Sequence, residues 1–236
     1  MANLLILDAS SSLCSVALSL DGEVLWSTED QPRRHAQRLL PMVDELLADA
    51  GVARQSLDGV AFGQGPGSFT GIRIALSVAH GLSLGLDVPV CGISSLAGVA
   101  RAALSQDARS TAFVVMDAHM GEVFWGQYQQ QGDLILPLSE EQVGAPSVCL
   151  EALAELEKQQ PANVSVAGDG LQLMDFAHCD LEYATLKPEA RTMAPMAAAA
   201  WEAGEFSDPE AHPPVYLRQS VAWKKLSEQP SLLKKI

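Results

Sequence analysis

The sequence predicts a mixed α/β protein made of two similar lobes, and three observations carry that prediction. Short apolar runs that read as buried strands alternate with longer stretches whose apolar residues recur every three or four positions. A strand ends in Asp-Ala twice, at Asp8–Ala9 and Asp117–Ala118, 109 residues apart, and a strand breaks into glycine at Gly63 and Gly168, 105 apart. The pentapeptide GEVLW at Gly22–Trp26 is echoed by GEVFW at Gly121–Trp125. Together these point to a duplicated unit of meander strands followed by helix–strand alternation, which gives a mixed sheet covered by helices.

Along the chain, residues 4–8 form an apolar run closed by an acid. Residues 15–20 and 23–28 alternate around Asp21–Gly22, the signature of a hairpin turn. Residues 35–50 are amphipathic, with Leu39, Leu40, Val43, Leu46, Leu47 and Ala50 at helical spacing and Gly51 as the stop. Pro41 within that run either marks the helix start nearby or kinks its first turns. Strand 59–63 leads through a glycine-rich turn to a helix over 68–85, strand 88–92 follows, and Ser94 or Ser95 caps a helix carrying Leu96 to Leu104. The second series reads as strands 111–117, 122–129 and 134–136, a helix from Ser147 to Gln159, strand 164–167, and an alanine-rich helix over 189–203. The expected boundaries are 1–105 for the first lobe, 106–210 for the second, and 211–236 for a closing segment that can return to the first. Two such lobes side by side describe the actin-like, sugar-kinase (ASKHA) architecture.

Composition bounds the function. At 236 residues with 48% hydrophobic and 19% charged side chains, the chain can bury a core. No run is read as reaching the roughly 18 to 20 apolar residues of a membrane span, and the start lacks a basic leader, so a cytoplasmic protein is expected. Cys14, Cys91, Cys149 and Cys179 are scattered without a CxxC pair, which reads as reduced, buried thiols and no zinc site. A net charge of −14 repels phosphate backbones, so tight nucleic-acid binding by the chain alone is not expected. Lys224, Lys225, Lys234 and Lys235 form one late basic cluster, read as a solvated tail or a contact to RNA or a partner.

The most informative stretch is GQGPGSFTGIRIA from Gly63 to Ala75. Its glycines permit positive φ and close backbone approach, and Ser68 or Thr70 can cap the next helix. Unpaired N–H groups at such a helix start can hold an anion. The segment lacks the lysine of a Walker-A loop and the GxGxxG spacing, so a tight strand-to-helix turn is the competing reading. In the helix that follows, Gly71, Ala75, Val78, Ala79, Leu82 and Gly85 form a small-residue face, and apolar residues elsewhere leave material for a second helix from a partner.

GPGSFTGIRI, preceded by ILDASSSLCSVAL and RRHAQRLLPMVDELLADAG, strongly resembles the bacterial TsaB (YeaZ) family. VPVCGISSLAGVA, VVMDAHMGEVFWGQY and PPVYLRQSVAW extend the likeness over nearly the whole chain. The resemblance implies a two-lobed actin-like fold and membership of the complex that forms N6-threonylcarbamoyladenosine in tRNAs reading codons that begin with A. It implies a non-catalytic subunit, beside a paralogue, TsaD, that carries the metal and transfers the threonylcarbamoyl group, and an ATPase, TsaE. The implied docking surface is the pair of helices around 35–50 and after Gly67: Arg34, His35, Leu39, Leu40, Pro41, Met42, Val43 and Leu46 on the first, and Phe69, Arg73, Ile74, Ser77, Val78 and Gly81 on the second. The family motif is Gly65, Pro66, Gly67, Ser68, Phe69, Thr70 and Gly71. A second copy of the chain takes the same surface when TsaD is absent, and tRNA is met only through the complex. A charge at Val43 or Leu46 is accordingly expected to abolish the heterodimer and leave the monomer folded. The family usually has Asp-Ala-Arg where Asp117-Ala118-His119 stands, which puts a cation at 119 in doubt.

The residues offer no complete active site. His35, His80, His119, His178 and His212 include no pair at i, i+3 or i, i+4, so no helix presents two histidines to a metal, as TsaD-type proteins do. Asp8 sits where working members of the fold orient magnesium, with Ser10 and Ser11 as weak, complex-dependent nucleotide contacts; the alternative is a hydrogen-bonding strand-end residue. After Asp8 the residues are Ala-Ser-Ser-Ser-Leu-Cys, with neither glycine nor lysine for a phosphate hairpin. No resident cofactor is expected, and a nucleotide at the TsaD junction is the one ligand left open. Asp117 and Glu122 are paired carboxylates or a hairpin mouth, and Ser68 lies outside GxSxG. The competing readings are a stand-alone ASKHA kinase or ATPase for a small molecule, and a metal-dependent hydrolase.

Overall fold

A computed structural model describes residues 2–31, 33–132, 134–175 and 183–218. The first lobe runs β1 (Leu4–Asp8), β2 (Leu13–Leu20), β3 (Glu23–Asp30), α1 (His35–Ala50), β4 (Gly59–Gly65), α2 (Phe69–Leu86), β5 (Val90–Ser94) and α3 (Ser95–Leu104). The second runs β6 (Thr111–Asp117), β7 (Val123–Gln131), β8 (Leu134–Pro137), β9 (Gln142–Gly144), α4 (Pro146–Gln159), β10 (Val164–Ala167), β11 (Tyr183–Ala184) and α5 (Ala190–Glu202).

The duplication is visible in strand order. The first sheet is β3-β2-β1-β4-β5 and the second β8-β7-β6-β10-β11, each an antiparallel meander extended by parallel strands. Asp8 and Asp117 end equivalent strands, whereas Gly63 lies inside β4 and Gly168 follows β10. The pentapeptide echo does not survive: Gly22–Trp26 enters the third strand of its lobe, whereas Gly121–Trp125 enters the second of its own. Those five residues match by chance at non-equivalent places.

Side chains alternate along buried strands, and each face finds a helical layer. Leu5, Leu7, Val60 and Phe62 meet α1 and α2, and Leu4, Ile6 and Ala61 meet α5. In the second sheet Ala112, Val114 and Met116 pack on α3, whereas Phe113 and Val115 pack on α4. The expected boundary that placed 106–210 in one lobe is therefore corrected at α5. Ala190, Ala194 and Ala197 let that helix lie close on the first sheet, although it follows the second in sequence. Ser94 supplies the α3 cap, its Oγ accepting from the Ala97 N–H at 3.1 Å. α4 begins at Pro146, ahead of the Ser147 cap read from sequence. α1 runs through Pro41, which falls in its second turn.

Beyond α5 the chain crosses both lobes. The Gly92 N–H donates to His212 Nδ1 at 3.2 Å, and the Val215 N–H to the Gln64 carbonyl at 2.8 Å. Arg218 then reaches the carbonyls of Ala118 and His119 and the carboxylate of Glu122. Lys224, Lys225, Lys234, Lys235, His178 and Cys179 lie outside the described residues. Cys14, Cys91 and Cys149 are unpaired and buried, and burial pushes their thiols up to about 12, 11 and 12. Burial also holds His212 below its ordinary value, with His80 adding repulsion. Because His212 Nδ1 must be unprotonated to accept from Gly92, this anchor is intact above about pH 6.5 and weakens as pH falls below it. The protection factor of the Gly92 amide should therefore fall as pH is lowered from 7.5 to 5.5; an unchanged protection factor would remove His212 as the anchor.

Candidate functional site

At the end of β1 the chain folds over its own carboxylate. Asp8 is fully buried; the Ser10 N–H donates to Oδ2 at 3.3 Å, while Oδ1 and the Ser10 Oγ have no partner among the described residues. Burial pushes the Asp8 carboxyl up to about 7, outweighing its contacts with Ser10. Ser11 is half-buried, and its Oγ accepts from the Leu13 N–H at 3.1 Å. Lys187 approaches the same loop and donates to Ser12 Oγ at 2.7 Å.

The GPGSFTG turn presses on this loop from the side. The Ser68 N–H donates to the Ser10 carbonyl at 2.7 Å, and Ser68 Oγ accepts from the Gly71 N–H at 3.2 Å. A Cβ on Gly67 would lie 2.3 Å from the Ser10 oxygen, and one on Gly71 1.8 Å from the Ala9 oxygen. Gly65, Pro66 and Gly71 are buried. Of the two readings of the motif, the geometry builds the tight turn: its glycines admit neighbouring backbone, and two N–H groups that could have met an anion are already used. Asp8 and Ser10 are closed to solvent, so a nucleotide reaches neither in this conformation.

Asp117 and Glu122 form a hairpin mouth rather than a carboxylate pair. Asp117 Oδ1 accepts from the His119 N–H at 2.7 Å, the Ala118 N–H donates to the Glu122 carbonyl at 3.1 Å, and Glu122 pairs with Arg218. The cation at this hairpin comes from Arg218, with His119 at its tip at φ 60°. Among the described residues, no group of three or more His, Cys, Asp or Glu side chains is placed to hold a metal.

The α1–α2 pair divides the residues named for docking. Leu39, Met42 and Val43 are wholly buried and Leu46 is 7% exposed, so all four are core residues of their own lobe. His35 is buried as well, its Nε2 3.2 Å from the Leu13 carbonyl. The expectation that a charge at Val43 or Leu46 spares the monomer is corrected accordingly: a carboxylate there would be buried without a partner. Outward stand Arg34, Leu40 (41% exposed), Phe69 (57%), Thr70, Arg73, Ser77 and Gly81, with Ile74 and Val78 half-covered.

Ala36, Phe69, Thr70, Arg73, Ile74, Ser77 and Val78 line a groove of about 430 Å³. The Arg73 guanidinium lies 3.7 Å from the Phe69 ring centre, and its Nε donates to the Tyr216 hydroxyl at 2.9 Å, which holds Phe69 upright at one end. Ala36 lies one helical turn before Leu40, a spacing that could have flagged it. Tyr216 is 143 residues from Arg73 and gave no local signal. Over its 18 residues α2 has a mean hydropathy of 1.3, long and apolar enough by composition to match a membrane span, although Arg73 and His80 interrupt the run. Its apolar side chains pack mostly on the first lobe, with Ile72, Ala75 and Ala79 buried and Ile74, Leu76, Val78, Leu82 and Leu86 half-covered, while Phe69 and Leu84 stand exposed.

These features define a class: a two-lobed actin-like α/β protein whose phosphate-loop position is occupied by its own backbone, and whose first lobe carries an apolar helix-pair groove. A family model described as TsaD, tRNA N6-adenosine threonylcarbamoyltransferase, matches residues 28–224. The chain is 37% identical over 233 residues to the tRNA threonylcarbamoyladenosine biosynthesis protein TsaB of Escherichia coli K12, covering 94% of this chain and 97% of that one. It is 34% identical to the Haemophilus influenzae protein of the same name, at 94% and 96% coverage. A crystal structure from Pseudomonas aeruginosa, described as an uncharacterized protein with similarity to peptidase YeaZ, superposes with a TM-score of 0.84 at 40% identity, covering 92% of this chain and all of that one. The chain belongs to the TsaB (YeaZ) family.

Proposed function

We propose that this chain is the non-catalytic partner subunit that works with TsaD and TsaE in the cytoplasm to form N6-threonylcarbamoyladenosine in tRNA. The outward face of α1 and α2 is its docking surface, taken by TsaD or, without TsaD, by a second copy. The observation that carries the reading is the groove itself, whose apolar walls flank a fixed Phe69. The enclosed Asp8 and the spent N–H groups of the GPGSFTG turn argue for a supporting subunit over a stand-alone kinase or ATPase. Family names carry the pathway: the E. coli and H. influenzae relatives are named for threonylcarbamoyladenosine biosynthesis.

The test is size-exclusion chromatography and calorimetry with purified TsaD. Val78→Glu and Ile74→Glu place a carboxylate in the groove and should weaken the heterodimer about 30-fold or more with an unchanged circular dichroism spectrum. Val43→Asp, its core counterpart, should instead unfold the monomer. Heterodimers of native affinity from both groove variants would remove this face from the interface. Tight ATP binding by the chain alone would favour the kinase reading.

A further inference from the structure

A second groove, apart from the docking face, lies where β3, the end of α3 and the start of α5 meet, and its Lys187 touches the loop after Asp8. It encloses about 370 Å³, within the range of small-ligand sites at roughly 300–1,000 Å³. One wall is Trp26, which is 52% exposed although it sits in mid-strand on the outer strand of the first sheet. The other walls bring Arg101, Lys187 and Arg191 together with one acid, Glu189.

Three cations and an open indole in one groove stand against the character of a chain whose net charge is −14. Arg191 lies 5.5 Å from the Trp26 ring centre and pairs with Glu189 at 2.9 Å; Glu189 also meets the Thr28 hydroxyl at 3.5 Å. Glu189 is thereby engaged on its own side of the groove. Lys187 holds Ser12 Oγ at 2.7 Å and is 3.9 Å from Asp30, and an ammonium has three donors, so these contacts do not exhaust it. An aromatic platform rimmed by Arg and Lys is the arrangement that takes a base by stacking and its phosphate by charge. Acids more than about 8–10 Å away are largely screened at physiological salt, and the local ones are Glu189 beside Arg191 and Asp30 beside Lys187.

We propose that this groove binds one nucleotide unit, with its base against the Trp26 indole and its phosphate between Lys187 and Arg191. The unit can be a mononucleotide in solution or one residue of a single RNA strand. The site does not rest on the docking proposal, because none of its walls belongs to α1 or α2.

The test titrates the purified chain with AMP, with inorganic phosphate and with a ten-residue oligoadenylate, following calorimetry and the Trp26 indole resonance. AMP is expected to shift that resonance and to bind about ten-fold or more weakly to Trp26→Ala, and more weakly also to Lys187→Gln and Arg191→Gln. Circular dichroism of each variant reports on folding, and Trp26→Phe, which keeps a ring, should restore part of the affinity. Oligoadenylate binding more tightly than AMP and weakening steeply with salt identifies an RNA strand as the source; equal affinities identify the mononucleotide. Phosphate binding as well as AMP would overturn the stacking half of the proposal. Binding of neither nucleotide, or binding indifferent to Trp26→Ala and Lys187→Gln, would overturn all of it. Val78→Glu should leave nucleotide binding intact, so failure of the docking face and failure of this groove are read separately.

Discussion

Replacing Gly71 with alanine should destabilise the protein by about 3 kcal/mol or more, although alanine is the better helix former by about 1 kcal/mol. Gly71 lies in the first turn of α2, and a methyl there would sit 1.8 Å from the Ala9 carbonyl oxygen. That neighbour is backbone, fixed by the β1–β2 connection, and cannot rotate aside. Relief requires α2 to back away from the sheet, which opens the packing of Ile72, Ala75 and Ala79 and lengthens the 2.7 Å bond from Ser68 to Ser10. Gly81 and Gly85 are the internal controls: each is exposed on the same helix, with nothing within 4 Å of an added methyl, so alanine at either should stabilise by roughly 0.5–1 kcal/mol. Chemical denaturation of the three variants decides. A Gly71→Ala midpoint matching the parent would mean that the GPGSFTG turn is not held against Ala9.

Much of this architecture was legible because strands and helices write different periods. The Asp-Ala offset identified the lobe repeat since a strand-end acid sits at the same place in both sheets. The pentapeptide echo falls at non-equivalent places, and it failed. β9 and β11 have three and two residues, too few for any period to register. That α5 belongs to the first sheet was hidden for another reason: an alanine stripe announces close packing without naming the sheet it packs on. Several residues that the resemblance implied for docking are core residues. Leu39, Val43 and Leu46 form the strongest stripe of α1, and a stripe at helical spacing says that a face is covered, not by what. Their own lobe covers it, and what remains for a partner is the weaker line beginning at Ala36 and Leu40. Trp26 and Arg101 come from distant segments, and nothing short of the fold brings them together.

Asp8→Asn should raise stability at pH 8 by on the order of 4 kcal/mol and flatten the dependence of stability on pH between about 4 and 7. The sign follows from the direction of the shift. The carboxyl titrates near 3.8 when exposed and at about 7 in the fold, so the native state holds a proton that the unfolded chain has lost. Stability from this group is therefore greatest on the acid side, declines as pH rises through that window, and is at its lowest above about 7. Asparagine keeps an oxygen to accept from the Ser10 N–H at 3.3 Å and carries no charge to bury. Thermal melts of both proteins across pH 5–8 test this, and equal slopes would show that water reaches the carboxylate and lowers its titration point. Gly63 makes room for this group, since a Cβ there would fall 2.0 Å from Asp8 Oδ1. A chain that keeps an ionisable group where an amide would be more stable breaks a local rule of folding, and such breaks concentrate where function constrains a residue. Asp8→Asn separates the two cases in one preparation. If the variant gains stability and still joins TsaD with native affinity, Asp8 contributes nothing to docking and the α1–α2 groove suffices. If it gains stability and loses the complex, the buried carboxylate acts on that face through Ser10 and the GPGSFTG turn, the path of backbone contacts that links them.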